Sequence, residues 1–198
     1  MTRKYEQRRR AELQEETRAR IVEAAVDLHN SVGPAHTTDR AIAERAGVTR
    51  RTFYRHFPTD LELFRACTAH GTHRWPPPDP TPWRQIEDPE ERLRVGLGAL
   101  YRYYRIAGRG LAVVIRDAPL LSPALTRLPG RGDVLRAVPG VLAEGWGVRG
   151  RGQAVVVAAI AHATSVSTWQ SLVEGQGLSD DEAVSLLVGM VVAAARRL

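Results

Sequence analysis

Five prolines fall within ten residues, Arg74–Trp83 (RWPPPDPTPW). Proline fixes its own backbone angle and lacks the N–H that a helix interior or central strand needs, so this stretch is neither. It reads as a stiff, extended connection and as the boundary between two folding regions. The chain divides accordingly into a charged arm (1–16), a first helical domain (17–73), the proline-rich connection (74–88) and a second helical region (89–198).

On both sides of the connection the apolar spacing is helical. From Thr17 to Val32, the residues Ile21, Ala25, Leu28 and Val32 recur at steps of four, three and four, and Gly33-Pro34 stops the run. Thr37 and Thr38 are caps for a second helix carrying Ile42 and Ala46. Gly47 marks a sharp turn, a third helix spans Thr49–His56, and Thr59 caps a fourth running to about Gly71. Asp88-Pro89-Glu90-Glu91 starts a helix that reaches about Ile106. Shorter pieces are expected near 111–116, 122–128 and 133–146, then a loop at 147–152. A long helix over 153–174 and a last one over 179–196 complete the chain. No stretch alternates with a period of two between turn signals, and no repeat is visible. The expected fold is all-α, with about nine helices.

Hydrophobic residues make up 43% and charged residues 25%, enough apolar mass to exclude disorder over most of the chain. The lone cysteine, Cys67, excludes an intramolecular disulfide and a cysteine-rich zinc module, and points to a reducing cytoplasm. MTRKYEQRRR is charged with no apolar stretch behind it, so no secretory signal is expected. The longest apolar stretch, Ala154–Trp169, is short for a membrane span and carries His162, Thr164 and Ser165, so no membrane partner is expected. The net charge is +6, and of 28 basic residues all but Lys4 are arginine. Guanidinium suits planar contact with phosphates and guanine edges, so an anionic partner is expected.

The segment TTDRAIAERAGVTRRTFYRHFPTDLELF, Thr37–Phe64, constrains function most. Two short helices meet at Gly47. Ile42, Ala46, Val48, Phe53 and Phe57 supply a small tri-helical core, with both phenylalanines on one face of the third helix. Arg51, Thr52 and Arg55 fall on the opposite arc, flanked by Arg50 and Tyr54. Such a face suits a DNA major groove better than a core.

IAERAGVTRRTFYRHF, Ile42–Phe57, resembles the helix-turn-helix signature of TetR-family transcriptional regulators. The resemblance covers Thr17–Phe64. It implies that Arg50, Arg51, Thr52 and Arg55 reach bases or flanking phosphates, and that Tyr54, His56, Thr38 and Arg40 touch the DNA backbone. Arg51 replaces what is often a small residue, so base preference is not carried over. Asp60 stands where the family usually has a phosphate-gripping lysine, so that contact is expected to be missing, with Arg65 or the arm in its place. The family also implies a palindromic double-stranded operator, a homodimer, a small-molecule effector of unknown identity, and repression released by that effector. Such a regulator works on the nucleoid in the cytoplasm.

In the second region, Ala158 and Ala161 allow close helix approach, and Val184, Leu187, Val188 and Val191 give the last helix an apolar face. Both sets are expected at a dimer interface. Tyr101, Tyr104, Arg105, Trp146, His162 and Trp169 form a mixed aromatic and polar set, the candidates for effector binding. Arg116-Asp117 reads as a surface pair. A metal-responsive regulator using Cys67, His70 and His73 is one rival, and a helical protein-interaction module without specific DNA binding is another. There is no Gly-x-Ser-x-Gly, phosphate loop or His-Glu-x-x-His, so neither an enzyme nor a cofactor is expected.

Overall fold

The computed structural model describes residues 3–196, with side chains from Tyr5 onward, so Met1 and Thr2 of the charged arm lie outside it. Its helices are α1 (Arg3–Ser31), α2 (Asp39–Arg45), α3 (Arg50–His56), α4 (Asp60–Arg74) and α5 (Pro89–Asp117). They continue with α6 (Pro123–Thr126), α7 (Arg131–Leu142), α8 (Arg151–Ala163), α9 (Val166–Trp169) and α10 (Asp180–Arg196). No strand occurs among the described residues, and none of their helices is long and apolar enough to cross a membrane.

The chain forms two compact units. The first holds the residues up to Arg74 together with Val113–Leu128, a stretch that the sequence reading assigns to the second region. The residues of the charged arm from Arg3 onward already belong to α1, and Tyr5–Glu16 are exposed along it. The buried stripe of α1 runs through Ile21, Val22, Ala25, Val26 and His29, whereas Val32, expected to continue it, is 48% exposed. The stripe packs on α2 and α4.

Asp117 explains the regrouping of Val113–Leu128. Its carboxylate is buried, accepting from Ala35 N (3.1 Å) and from Arg116 Nε (2.8 Å). Arg116 Nη2 donates to Val32 O (3.0 Å). The pair therefore grips the turn after α1, with Arg116 on the surface, as expected, but Asp117 buried beneath it. Gly33, at φ 110°, passes so close that a Cβ there would overlap the Asp117 carboxylate.

The second unit is Trp75–Ala112 with Pro129–Leu198 as bounded by contact, described here to Arg196. The glycines at 108 and 110 do not split its first helix as expected, because α5 is continuous. Gly108 is instead a packing requirement: a Cβ there would come within 2.9 Å of the Trp169 ring. The long helix expected over 153–174 is broken after Ala163. Thr164 turns its hydroxyl back onto Ile160 O (2.9 Å), and the Ser165 hydroxyl caps α9 by accepting from Ser167 N (3.3 Å). Such local bonds compete with the helical ladder. The freed carbonyls are taken by two tyrosines: Tyr101 donates to Ala163 O (3.1 Å) and Tyr104 to Thr164 O (2.7 Å). After Trp169 the chain widens into one π-helical turn, Gln170–Gly175.

Arg92 is a buried cation without a carboxylate. Its guanidinium donates to Ile86 O (2.6 and 3.0 Å), Glu87 O (3.3 Å) and Glu144 O (2.7 Å), tying the segment before α5 to the turn after α7.

His29 contributes to the acid limb of the stability curve. Burial pushes its imidazole down from 6.5 to about 4. On acidification the unfolded chain takes up that proton first. The stability held by neutral His29 is thus complete above pH 6.5 and is lost as the pH falls toward 4. The loss amounts to up to about 3 kcal/mol. Urea unfolding over this range is expected to show the decline, and His29→Leu to flatten most of it.

Candidate nucleic-acid interface

Three caps and one glycine set the geometry of the first unit. The Thr38 hydroxyl accepts from Ala41 N (3.2 Å), Thr49 from Thr52 N (3.1 Å) and Thr59 from Glu62 N (3.3 Å), starting α2, α3 and α4. Between α2 and α3, Gly47 adopts φ 65°. Its N–H and that of Val48 close onto Glu44 O (3.1 Å) and Ala43 O (2.9 Å), ending α2.

The inner side of α3 carries Phe53 and Phe57, both at most 2% exposed, with ring centroids 6.3 Å apart. Arg18 of α1 lays its guanidinium over the Phe57 ring, 4.3 Å from the centroid, and donates to His56 O (3.2 Å). This turns the rest of α3 outward. Arg50, Arg51, Tyr54 and Arg55 are exposed and Thr52 is half-buried. Arg51 and Arg55 form no ion pair among the described residues.

Tyr54 is held in place before any ligand arrives. Its hydroxyl donates to Asp39 Oδ2 (2.9 Å) and accepts from Arg50 Nη2 (3.3 Å), linking α2 to α3. Arg40 pairs with Glu44 (2.8 Å) on the surface and must leave it to meet a phosphate. His56 is half-buried, and burial together with Arg55 and Arg18 holds its imidazole below the usual histidine range. Its Nε2 is buried without a partner among the described residues, so only the other ring edge is available to a backbone phosphate. Asp60 is exposed in the first turn of α4, and Arg65 is exposed further along it.

Sequence reasoning missed Arg18 and Asp39, and it placed Asp117 on the surface where the fold buries it. The first two act across helix boundaries, where no periodic signal exists. Asp39 does follow a capping threonine, a place where an acid is favoured for local reasons alone.

The other candidates scatter. Tyr101, Tyr104 and Trp169 are core residues with their polar atoms engaged, Trp169 Nε1 lying 3.4 Å from Asp180 Oδ1. Arg105 pairs with the same carboxylate (2.7 Å), and Trp146 donates to Leu142 O (2.9 Å). His162 is exposed, with Nε2 3.4 Å from the Thr168 hydroxyl. Of the dimer candidates, Ala158 and Ala161 face outward on α8. Val184, Leu187, Val188 and Val191 do not: they are buried within the unit against α8 and α5. The exposed apolar face of α10 is the neighbouring one, with Leu186 (46%) and Met190 (55%), beside Val157 (40%) on α8. Cys67 is buried and its thiol pushed up to about 12, and no group of three or more metal-ligating side chains gathers among the described residues.

A capped helix pair with a tight glycine turn, presenting a basic outer face from its second helix, defines a helix-turn-helix domain. Residues 21–67 match the sequence family described as bacterial regulatory proteins, tetR family. The transcriptional regulator TtgR of Pseudomonas putida is 47% identical over 68 residues, 33% of this chain and 32% of that protein. The repressor KstR of Rhodococcus jostii is 32% identical over 114 residues, 58% of this chain and 48% of that protein. The similarity thus spans between a third and a half of these relatives' length. A TetR-like transcriptional regulator from a Rhodococcus species has a related fold, with TM-score 0.58 at 20% identity over 88% of this chain and 93% of that one. Over residues 21–67 this chain therefore carries the sequence pattern of the tetR family.

A Cβ at Gly47 would have room, its nearest neighbour being Arg20 Nη1 at 4.0 Å, so the cost of substitution is conformational alone. Gly47→Ala is expected to lower stability by about 1–2 kcal/mol in urea unfolding, and Gly47→Asn by less.

Proposed function

We propose that the chain is a transcriptional regulator that binds a palindromic operator in double-stranded DNA as a homodimer and is released by a small-molecule effector. It acts as a repressor on the nucleoid, in the cytoplasm. The observation that carries this reading is the outer face of α3, where Arg50, Arg51, Tyr54 and Arg55 stand exposed on a helix fixed from behind by Phe53 and Phe57. In this reading Arg51, Thr52 and Arg55 meet base edges. Arg50 and Tyr54 meet flanking phosphates or bases, and Thr38, Arg40 and His56 the backbone.

The homodimer forms through the outward faces of α8 and α10, with Val157, Ala158 and Ala161 on one and Leu186 and Met190 on the other. Two such helix pairs related by a two-fold axis make a four-helix bundle. The six effector candidates of the second unit support ligand binding weakly, since five of them have their polar groups committed within the unit and His162 faces out.

Two experiments test these readings. In gel retardation, the chain is expected to shift the region upstream of its own coding sequence selectively, with a steep loss on raising salt. Arg51→Ala, with its fold intact, is expected to weaken that complex by about 1–3 kcal/mol. Equal binding of random DNA would overturn the reading. By light scattering the wild type is expected to be a dimer at micromolar concentration. Met190→Arg is expected to be a monomer of nearly unchanged thermal stability, because Met190 is 55% exposed.

A further inference from the structure

The first unit carries an open cleft of about 510 Å³, within the usual range for small-molecule sites. Its lining is mixed: the apolar part is Leu63 and Phe64 of α4 with Leu120, Leu121 and Leu125, beside His29, His36, Thr37, Thr38, Asp39 and Asp60. Leu120 is 67% exposed at this place. The polar groups of the cleft are unusual for this chain. The protein carries 28 arginines and lysines, yet none lines the cleft, while two carboxylates, Asp39 and Asp60, do. Both lie in first turns, where the helix dipole favours a negative charge. His29, only 7% exposed, also lines the cleft and makes no hydrogen bond among the described residues. Being uncharged near neutral pH, it offers a ring nitrogen as an acceptor.

We propose that this cleft binds an amphipathic primary ammonium ion, its head between Asp39, Asp60 and His29 and its apolar body along the leucines and Phe64. An anion would meet two carboxylates and no arginine or lysine. A neutral hydrocarbon would leave Asp60 and the His29 imidazole without a donor. An ammonium supplies N–H donors to all three. Asp39 is also the acceptor of the Tyr54 hydroxyl (2.9 Å), so a cation bound here competes directly with the bond that fixes Tyr54 on the reading face. The cleft thereby gives the regulator proposed above a ligand class, and its regulatory role rests on that reading. Binding is read on the free chain, so failure of the ligand and failure of DNA binding are separable.

The test is calorimetric titration of the full chain with octylammonium, octanoate and 1-octanol. Octylammonium is expected to bind one site per chain at least about tenfold more tightly than either analogue. Asp60→Asn is expected to weaken it by about tenfold. Leu121→Arg, which places a guanidinium in the cleft, is expected to abolish binding, with thermal unfolding confirming that both variants fold. Octanoate or octanol binding as tightly as octylammonium would overturn the proposal. Wild-type affinity for octylammonium in both variants would also overturn it, by placing the ligand elsewhere.

Discussion

The reading face of the first unit depends on the packing of two phenylalanines beneath a seven-residue helix. A helix this short does not persist in water by itself, because nucleation costs more than so few hydrogen bonds return. Phe53 and Phe57 supply the missing stability and also set the rotation of α3 about its axis. The Thr49 cap fixes where the helix begins, and Arg18 over the Phe57 ring closes its other end. The arginines point outward as a consequence of what is buried opposite them.

The local part of this arrangement was legible in the residues. Capping threonines, the turn at Gly47 and the phenylalanine spacing are short-range signals, and each corresponds to an observed contact. What escaped is long-range. Gly108 reads locally as a helix breaker, yet the helix runs through it because the Trp169 ring needs the space. The alanine-rich run after Gln153 reads as one helix, and breaks because Tyr101 and Tyr104, some sixty positions away, receive the carbonyls that the break releases. In α10 two adjacent faces are both apolar. Sequence alone does not say that Val184, Leu187, Val188 and Val191 turn inward while Leu186 and Met190 remain outside.

Both units bury polar side chains. In the second, Arg92, Tyr101 and Tyr104 are each matched to backbone carbonyls, a pattern that fixes one arrangement. In the first, His29 lines a cleft with two acids and is packed against the Phe64 ring, 5.1 Å between centroids.

The contact between Gly33 and Asp117 has a consequence for descent. Residue 117 reaches Ala35, 82 positions earlier in the chain, through a space that exists only because position 33 has no side chain. A lineage that enlarged residue 33 first would meet the buried acid, whereas one that shortened residue 117 first would open the way. The order of mutational steps is therefore constrained at two sites that no local window of sequence connects, and their histories are expected to be epistatic.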